Sequence, residues 1–486
     1  MKNKIAIIGS GFSGLSAACF LAKAGHEVSV FEKNSQLGGR ARVFESNGYV
    51  FDMGPSWYWM PDVFERFFAE FGKKPSDFYE LVKLDPGFSM FFGKDDVLDI
   101  PASMDEVYRL FDQEEENGAE KLRKFLREAE LKYDISFKNF IYKPSESVFE
   151  FVNFTTLKNL PRLDLFNSFR SHIRKYFTSE RLLKLMEFPI LFLGGSPENI
   201  PALYSLMNYS ALVQGTWYPQ GGFYKIIEGM VSVARELGVH LHIDSPVSKI
   251  NVEDKSVHSV TLPSGKIFFD AVIGSSDYAH TESLLDENFR NYSSTYWDKR
   301  VFSPSCLIFY VGLKKKLRKL RHHNLFFDRD LQHHSDQIYK KPSWPSDPLF
   351  YVCCPSKTDQ SVAPAGHENL FFLMPLAAGL EDSEKNREKY FAIMLNRLEQ
   401  ILGEEISSSI DYRRSYCLNN FINDYNSCKG NAYGLANTLR QTAVLKPALR
   451  NKKVKNLYYC GQLTVPGPGV PPALISGQIA AQQLFS

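Results

Sequence analysis

The sequence predicts an α/β fold that begins with a β-strand, a helix and a second, parallel strand. Residues 5–8 are a short apolar run that leads directly into Gly9-x-Gly11-x-x-Gly14. An apolar helical stretch and a second short apolar run follow, and that run ends at Glu32. This order and spacing are typical of a Rossmann-like unit that binds a dinucleotide.

The glycine motif indicates how such a ligand would be held. Its glycines allow a tight turn, so that backbone N–H groups and the positive helix N-terminus approach a pyrophosphate. The carboxylate of Glu32 is placed to accept hydrogen bonds from ribose hydroxyls.

Two further glycine-rich segments favour a flavin over a nicotinamide. Gly38-Gly39-Arg40 allows close passage of the backbone beside a large ligand and supplies a cation. Near the other end, a strand in the run 457–462 breaks into a Pro/Gly-rich turn over 464–473, and residues 474–485 are predicted to form a closing helix. Backbone of this kind fits against a flat ring system, and a plain nicotinamide fold does not require it.

Together these motifs resemble those of the bacterial-type phytoene desaturases, a carotenoid-oxidising branch of the FAD-dependent amine-oxidase-like flavoproteins. The resemblance covers nearly the whole chain. Its marks are the N-terminal glycine motif, Gly38-Gly39-Arg40, Asp52-x-Gly54-Pro55, Trp217-Tyr218-Pro219-x-Gly221-Gly222 and Gly461…Pro466-Gly467-x-Gly469-Val470. The chain departs from the usual pattern at Ser56, Gln220, Pro468 and the run 462–465, which leaves the particular carotenoid open.

The resemblance implies a Rossmann-like FAD-binding domain of the glutathione-reductase or amine-oxidase type, with a mixed-sheet substrate domain and a helical lid. We expect a discontinuous FAD-binding domain, a helical, membrane-facing insertion and a substrate domain. Their predicted bounds are 1–90, 216–290 and 426–486 for the first, 91–215 for the second and 291–425 for the third.

Periodicity places further elements along the chain. The predicted helices are 221–235 and 384–402. The predicted strands are 239–242, 307–313, 369–375 and several short ones over 257–269, with 271–277 returning to the parallel sheet.

The resemblance also implies the residues of the site. We expect FAD to contact Gly9, Gly11, Phe12, Ser13, Gly14, Glu32, Lys33, Gly39, Arg40, Gly54, Pro55, Ser56, Val247, Asp277, Gly461, Gly469 and Val470. No catalytic acid or base is identified. Trp57, Tyr58 and Tyr218 are candidates for lining the reaction zone, although each is also a plausible packing residue.

The implied activity is FAD-dependent desaturation of phytoene or of a later acyclic or monocyclic carotenoid, for example at C-3,4 of a γ-carotene-type or hydroxylated molecule. Alternatives on the same fold are a polyene saturase or isomerase, and an amine or porphyrinogen oxidase. A non-enzymatic alternative is an isoprenoid-binding escort protein. The electron acceptor, oxygen or a quinone, stays open.

Composition and residue spacing limit the kinds of partner, disulfide and metal that we expect. Among 486 residues the formal net charge is +2, and no basic domain or recognition motif indicates nucleic acid. The seven cysteines are an odd, scattered number without a CxxC, which favours free thiols in a reducing cytoplasm. His322-His323 and His333-His334 have no cysteine or carboxylate at metal spacing, so we predict no metal.

A carotenoid substrate implies contact with a membrane, and we expect the protein to be cytoplasmic and peripheral on the inner membrane face. No apolar run is long enough to span a bilayer. Two segments are candidates for lipid contact: the cationic run 314–323 and the amphipathic stretch 137–192. The alternatives are a solvated loop and a helical lid.

Overall fold

The computed structural model describes residues 2–147, 150, 163–165, 167–438 and 440–484, without the side chain at 192. The strands in these residues are β1 (Lys4–Ile8), β2 (Glu27–Phe31), β3 (Val43–Ser46), β4 (Tyr49–Asp52), β5 (Leu81–Lys83), β6 (Phe88–Gly93), β7 (Asp96–Ile100), β8 (Trp217–Pro219), β9 (His240–His242), β10 (Lys249–Glu253), β11 (Ser256–Leu262), β12 (Gly265–Phe268), β13 (Ala271–Gly274), β14 (Ser305–Leu313), β15 (His323–Phe326), β16 (Phe350–Cys353), β17 (Glu368–Leu376), β18 (Ile410–Tyr416) and β19 (Leu457–Tyr459).

The α-helices of five or more residues in the described part of the chain are α1 (Phe12–Lys23), α2 (Pro61–Ala69), α3 (Met104–Glu114), α4 (Gly118–Asn139), α5 (Phe169–Ile173), α6 (Glu180–Glu187), α7 (Tyr224–Glu236), α8 (Tyr278–Ser283), α9 (Ser294–Asp298), α10 (Leu331–Tyr339), α11 (Glu384–Leu402), α12 (Leu418–Tyr425) and α13 (Val470–Gln483).

A five-stranded parallel sheet forms the first layer, in the order β19-β13-β1-β2-β9. Strand β1 is central and its apolar residues are fully buried, which is why it reads as a continuous apolar run and not as an alternating one. The predicted β-α-β unit and the return of the chain to this sheet at β13 are confirmed.

A seven-stranded mixed sheet forms the second layer, in the order β18-β14-β17-β16-β15-β6-β7. Its pairs are antiparallel except β15 with β6. The predicted strands 307–313 and 369–375 fall within β14 and β17, two neighbouring interior strands, and the predicted helix 384–402 has the bounds of α11. The α/β fold class with a mixed sheet is therefore confirmed.

Two local predictions were wrong. Residues 91–100 are not helical, because they complete β6 and form β7 at the edge of the mixed sheet. Leu98 and Ile100 point inward while Val97 is exposed, a strand period that a helical reading missed. The predicted helix at 221 begins only at Tyr224, because Gly221 and Gly222 have φ of +88° and +99°. The other domain boundaries stay predictions.

Residues near the two ends of the chain meet beside the parallel sheet. Helix α13 packs on α1 so closely that a Cβ at Gly477 would lie 2.1 Å from the carbonyl oxygen of Ser13. The Ser16 hydroxyl also donates to the carbonyl of Leu474 at 2.7 Å. The closing helix predicted over 474–485 is observed as α13, and residue 485 lies outside the described residues.

Candidate functional site

One large cavity, of about 620 Å³, lies between the two sheets. On one side it is lined by residues that follow the carboxyl ends of β1, β2, β13 and β19. On the other side it is lined by residues of β14, β15, β16 and β17. The carboxyl edge of an open parallel sheet is where α/β folds bind their ligands.

All of the predicted cofactor-binding residues except Gly14 line this cavity. Gly14 lies behind the turn, where a Cβ would sit 2.1 Å from the carbonyl oxygen of Gly9. Its role in the structure is therefore close packing of α1 against the glycine turn.

The turn before α1 presents backbone to the cavity. Gly9 has φ of +103°, which favours glycine, whereas Gly11 has an ordinary φ of −70°. A Cβ at Gly11 would meet nothing within 4 Å, so the space beside it is open. No side chain of the described residues caps the N-terminus of α1. Its first N–H groups and its dipole are left to attract an anion.

Glu32 is held rigidly at the adjacent wall of the cavity. Its carboxylate accepts hydrogen bonds from the backbone N–H and hydroxyl of Ser10, at 3.1 and 2.6 Å. It also accepts from the backbone N–H and side-chain amide of Asn34, at 3.0 and 2.8 Å. These four bonds fix the orientation of the carboxylate, which is 4% exposed.

Arg40 brings an incompletely paired cation to the cavity. Its Nη2 donates to the Ser427 hydroxyl and to the carbonyl of Asn431, both at 3.3 Å, and its Nε is buried with no partner among the described residues. Burial lowers the pKa of Arg40, and the charge of Asp277 opposes that effect. A half-buried guanidinium with such weak partners is a site for an anionic or carbonyl oxygen.

Asp277 and the C-terminal segment complete this end of the cavity. The Asp277 carboxylate accepts from the backbone N–H groups of Ala279 and Cys428 at 3.1 and 3.2 Å. Burial raises the pKa of Asp277, while these hydrogen bonds and Arg40 oppose the rise. Helix α13 begins after Gly469 without a side-chain cap, but its second and third residues are prolines, which have no N–H to donate.

These residues fit FAD on structural grounds. The open space beside Gly11 and the uncapped N-terminus of α1 would take the pyrophosphate. The unpaired Nε of Arg40 calls for an oxygen ligand, and Glu32 and Val247 would flank the adenosine part. Gly54, Pro55, Ser56 and Gly469 line the section of the cavity that would hold the ring system.

Of the three predicted reaction-zone residues, only Trp57 lines the cavity. Tyr58 points the other way, because successive side chains of an extended segment alternate in direction. The Tyr58 hydroxyl is buried at 3.0 Å from that of Tyr79. Tyr218 is likewise buried outside the large cavity and donates to Asp359 at 3.1 Å. The structure thus places both tyrosines in packing roles.

The section of the cavity beyond Trp57, which we call the apolar arm, contains residues that sequence reasoning missed. Most of its lining is hydrocarbon: Phe188, Leu191, Met207, Leu325, Phe327, Leu331, Ile338, Leu349, Phe350 and Leu373. The hydroxyls of Ser335, Tyr339 and Tyr351 are added from α10 and β16. The spacing of Leu331, Ser335 and Tyr339, four residues apart on one helix face, is the signal that could have identified α10.

Two of these hydroxyls have unusual surroundings. The Ser335 Oγ is buried and has no hydrogen-bond partner among the described residues. Burial is the one cause that raises the pKa of Tyr339 above its ordinary value, with no hydrogen bond contributing. His334 next to them is neutral and fully bonded, because Nδ1 accepts from the N–H of Leu349 and Nε2 contacts the carbonyl of Pro375. Burial lowers the pKa of His334 to about 4.

The histidines of the cationic run are closer to a cysteine than their spacing suggests. The register of β15 and β16 pairs His323 with Cys353, and potential ligand atoms of His322, His323 and Cys353 lie within 4.8 Å of one another. Spacing along the chain therefore did not reveal that a cysteine lies beside these histidines. The prediction that no metal binds stays a prediction. All seven cysteines are free thiols, as predicted.

Comparisons with known proteins agree with this site. Residues 12–485 match the family model described as flavin containing amine oxidoreductase. The chain is 40% identical to a carotenoid 3,4-desaturase of Haloarcula japonica, over 99% of this chain and 98% of that protein. It is 30% identical to a 4,4'-diapophytoene desaturase (4,4'-diaponeurosporene-forming) of Staphylococcus haemolyticus, again over 99% and 98%. An oxidoreductase from Methanosarcina mazei shares the fold, with a TM-score of 0.66 at 18% identity over 99% of this chain and 100% of that one.

Proposed function

We propose that this chain, which belongs to the flavin-containing amine oxidoreductase family, is an FAD-dependent carotenoid desaturase. The observation that carries the proposal is the single cavity that joins the glycine turn of β1 to a long arm of hydrocarbon side chains. Such an arm suits a polyene, and the two relatives named above are desaturases of carotenoids.

The residues of the site have simple tasks in this reaction. When bound, the flavin supplies a two-electron oxidant that accepts hydride from a C–H bond. The apolar arm positions the C–H bonds and excludes water, so that a cation delocalised along the polyene is not captured. Arg40 and the N-terminus of α1 would hold the charged part of the cofactor.

We further propose that the substrate has a hydroxyl near one end and that the new double bond forms at C-3,4. The Ser335 hydroxyl, which is buried with no hydrogen-bond partner among the described residues, supports the first point, because a polar group in an apolar arm is costly unless the ligand bonds to it. Tyr339 adds a second hydroxyl to the lining from the same helix face. The 40% identity to a carotenoid 3,4-desaturase supports the second. The alternative substrates are phytoene and a γ-carotene-type molecule without a hydroxyl.

The other enzyme classes are less well supported. An amine substrate would need a carboxylate or another cation-binding group, and among the described residues the lining carboxylates lie at the cofactor end, in Glu32, Asp277 and Asp424. The geometry is compatible with a polyene saturase as well as with a desaturase. An escort protein would not need the guanidinium of Arg40, whose Nε has no partner among the described residues, beside a glycine turn.

The test is to express the chain in cells that accumulate different carotenoids and to identify pigments by chromatography. A matched pair of backgrounds, with and without a terminal hydroxyl on the same carbon skeleton, tests the finer proposal. We expect a longer chromophore, more in the hydroxylated background. Unchanged pigments in every background, with FAD-loaded protein present, would refute desaturation, and protein that never binds FAD would favour the escort reading.

Two variants test the end-group assignment. Ser335→Ala and Tyr339→Phe together should lower the preference for the hydroxylated over the unhydroxylated substrate about tenfold, because each removes one hydrogen-bonding group. Tyr390→Phe is the matched control, since it removes a buried hydroxyl that bonds to the carbonyl of Pro345 outside the cavity. An unchanged preference in the double variant would show that these hydroxyls do not select the substrate.

Peripheral attachment to a membrane is part of this proposal. No helix in the described residues is long and apolar enough to cross a bilayer. Within the run 314–323, Lys315, Lys319 and Arg321 form ion pairs with acidic side chains, which leaves Lys314, Lys316 and Arg318 as exposed cations. The other candidate, 137–192, falls partly outside the described residues. Flotation with anionic vesicles, compared with neutral ones, measures the attachment.

A further inference from the structure

The wall of the apolar arm contains a short chain of hydrogen bonds that the proposed function does not yet use. The Ser56 hydroxyl lies 3.0 Å from the hydroxyl of Tyr351, which lies 2.6 Å from Nδ1 of His323. Ser56 and Tyr351 line the cavity, whereas His323 lies behind them and is fully buried. The chain thus connects the cavity to a buried imidazole.

The register of the mixed sheet explains this arrangement. Strands β15 and β16 are antiparallel, with His323 opposite Cys353 and Leu325 opposite Tyr351. These four side chains therefore lie on one face of the sheet, the face that closes the cavity. Leu325 supplies hydrocarbon to the lining, and Tyr351 supplies a hydroxyl that is directly bonded to a histidine.

A comparison with His334 shows that His323 is not an ordinary structural histidine. Both ring nitrogens of His334 have hydrogen-bond partners. In His323, Nδ1 lies 2.6 Å from Oη of Tyr351 and 3.7 Å from Sγ of Cys353, whereas Nε2 is buried without a partner among the described residues. In the neutral tautomer that has its proton on Nε2, Nδ1 accepts from the Tyr351 hydroxyl, and this is the tautomer that the proposal below requires.

We propose that Tyr351 and His323 accept the proton that leaves the polyene. This inference rests on the proposed desaturation, which removes one hydrogen with its electron pair to the oxidant and a second as H⁺ from the adjacent carbon. The second C–H bond breaks, its electron pair becomes the new π bond, and the proton bonds to Oη of Tyr351. At the same time the original phenolic proton of Tyr351 moves to Nδ1 of His323. After the product leaves, the imidazolium returns its proton through Tyr351 to water.

Two neighbouring side chains favour this proton transfer, which leaves a positive charge on the His323 imidazole. The indole ring of Trp57 stacks on the imidazole with ring centroids 4.0 Å apart and an angle of 11°, a geometry that stabilises a cation over a π face. The Ser56 hydroxyl can donate to Oη of Tyr351 while that oxygen receives the new proton. Burial holds the pKa of His323 well below its ordinary value, so the imidazole is neutral before the reaction and can accept.

Tyr351 is the catalytic residue of this proposal because it lines the cavity where the substrate would lie, and His323 acts through it as a positioning residue and proton store. The experiment is a double-mutant cycle with Tyr351→Phe and His323→Gln in FAD-loaded protein. Each single variant should lower kcat about a hundredfold, within the usual contribution of a positioned acid or base, while KM changes less than about twofold. The double variant should be no slower than the slower single variant, since the two residues act as a unit.

The controls separate chemistry from folding. Tyr390→Phe should have unchanged kcat and KM, and all variants should keep the Tm and FAD content of the parent chain. The hydrogen bond is also measured without turnover, by ¹⁵N-histidine NMR of FAD-free protein. The resonance that disappears in His323→Gln should report an Nδ1 that accepts a hydrogen bond, and it should shift in Tyr351→Phe.

The outcomes distinguish this proposal from the proposed function. Turnover by the parent chain with an unchanged kcat in Tyr351→Phe would overturn the proton role and leave the desaturase assignment standing. Multiplicative losses in the double variant, about ten-thousandfold, would show two independent residues and would also overturn it. An absence of desaturation by the parent chain would refute the function, and the proton role with it.

Discussion

Gly11→Val separates the binding of FAD from the stability of the fold. Gly11 has φ of −70°, which valine adopts, and a Cβ at this position meets no protein atom within 4 Å. The cost to the fold is therefore limited to a poorer N-cap for α1, about 0.5 to 1 kcal/mol. In a chain of 486 residues, that lowers Tm by about 2 °C or less.

The same substitution should strongly weaken the binding of FAD. The isopropyl group would occupy the open space beside the N-terminus of α1, where the pyrophosphate is expected, and we expect the Kd for FAD to rise at least about a hundredfold. At an FAD concentration of about one hundred times the parent Kd, FAD stabilises the parent protein by about 2.7 kcal/mol. In the variant the same concentration would then contribute only about 0.4 kcal/mol.

The assay compares thermal unfolding with and without added FAD and measures flavin absorbance after desalting. Gly93→Val is the matched control, because Gly93 also has an ordinary φ and an empty Cβ position but lies at the end of β6 outside the cavity. Gly11→Val protein that retains a full complement of flavin and the parent rise in Tm would refute the placement of the pyrophosphate.

Substitutions at three further positions test other parts of the structure. Arg40→Lys should lower the affinity for FAD about tenfold, because lysine keeps the charge but loses the guanidinium fork, and Arg40→Met should lower it more than about a hundredfold. Calorimetric titration measures both affinities. An affinity in Arg40→Met equal to that of the parent chain would exclude a contact between Arg40 and the cofactor. Lys446 is buried, its ammonium has no hydrogen-bond partner in the part of the chain that the structure describes, and burial lowers its pKa to about 7. The folded state therefore binds fewer protons than the unfolded one from about pH 7 to pH 10, and stability increases with pH in that range. Lys446→Met should raise the free energy of unfolding by about 2 kcal/mol more at pH 6 than at pH 9, and a pH-independent gain would mean that Lys446 stays charged. Gly477→Ala should lower that free energy by about 1 to 3 kcal/mol in urea unfolding, since its Cβ would lie 2.1 Å from the carbonyl oxygen of Ser13; unchanged stability would mean that α1 and α13 separate easily.

Much of the cofactor end could be predicted from the sequence because its signals are local. The turn at Gly9 needs a glycine backbone, and an apolar strand with a helix after it can be read from neighbouring residues. The C-terminal turn at Gly469 was recognised in the same way. The backbone conformation of each of these motifs follows from its own residues, so it can be predicted without knowing which distant strands pair.

The substrate end could not be predicted, because its residues are brought together by sheet register. Tyr351 and His323 are separated in sequence and lie side by side on one face of the sheet only because β15 and β16 pair antiparallel with a particular alignment. Trp57 and Tyr58 are a similar case, although they are adjacent in sequence. Their side chains point to opposite sides of an extended segment, and the sequence does not show which of the two sides lines the cavity.

The sequence by itself determined the α/β class, the central parallel strands and the glycine-rich turns of the cofactor end, since these follow from composition and spacing within short segments. Only the tertiary structure decided which side chains line the apolar arm, which hydroxyls there have no partner and which histidine is bonded to a cavity tyrosine. The physical reason is that strand pairing and helix packing choose among faces that composition leaves equivalent, and a shift of one residue reverses the choice.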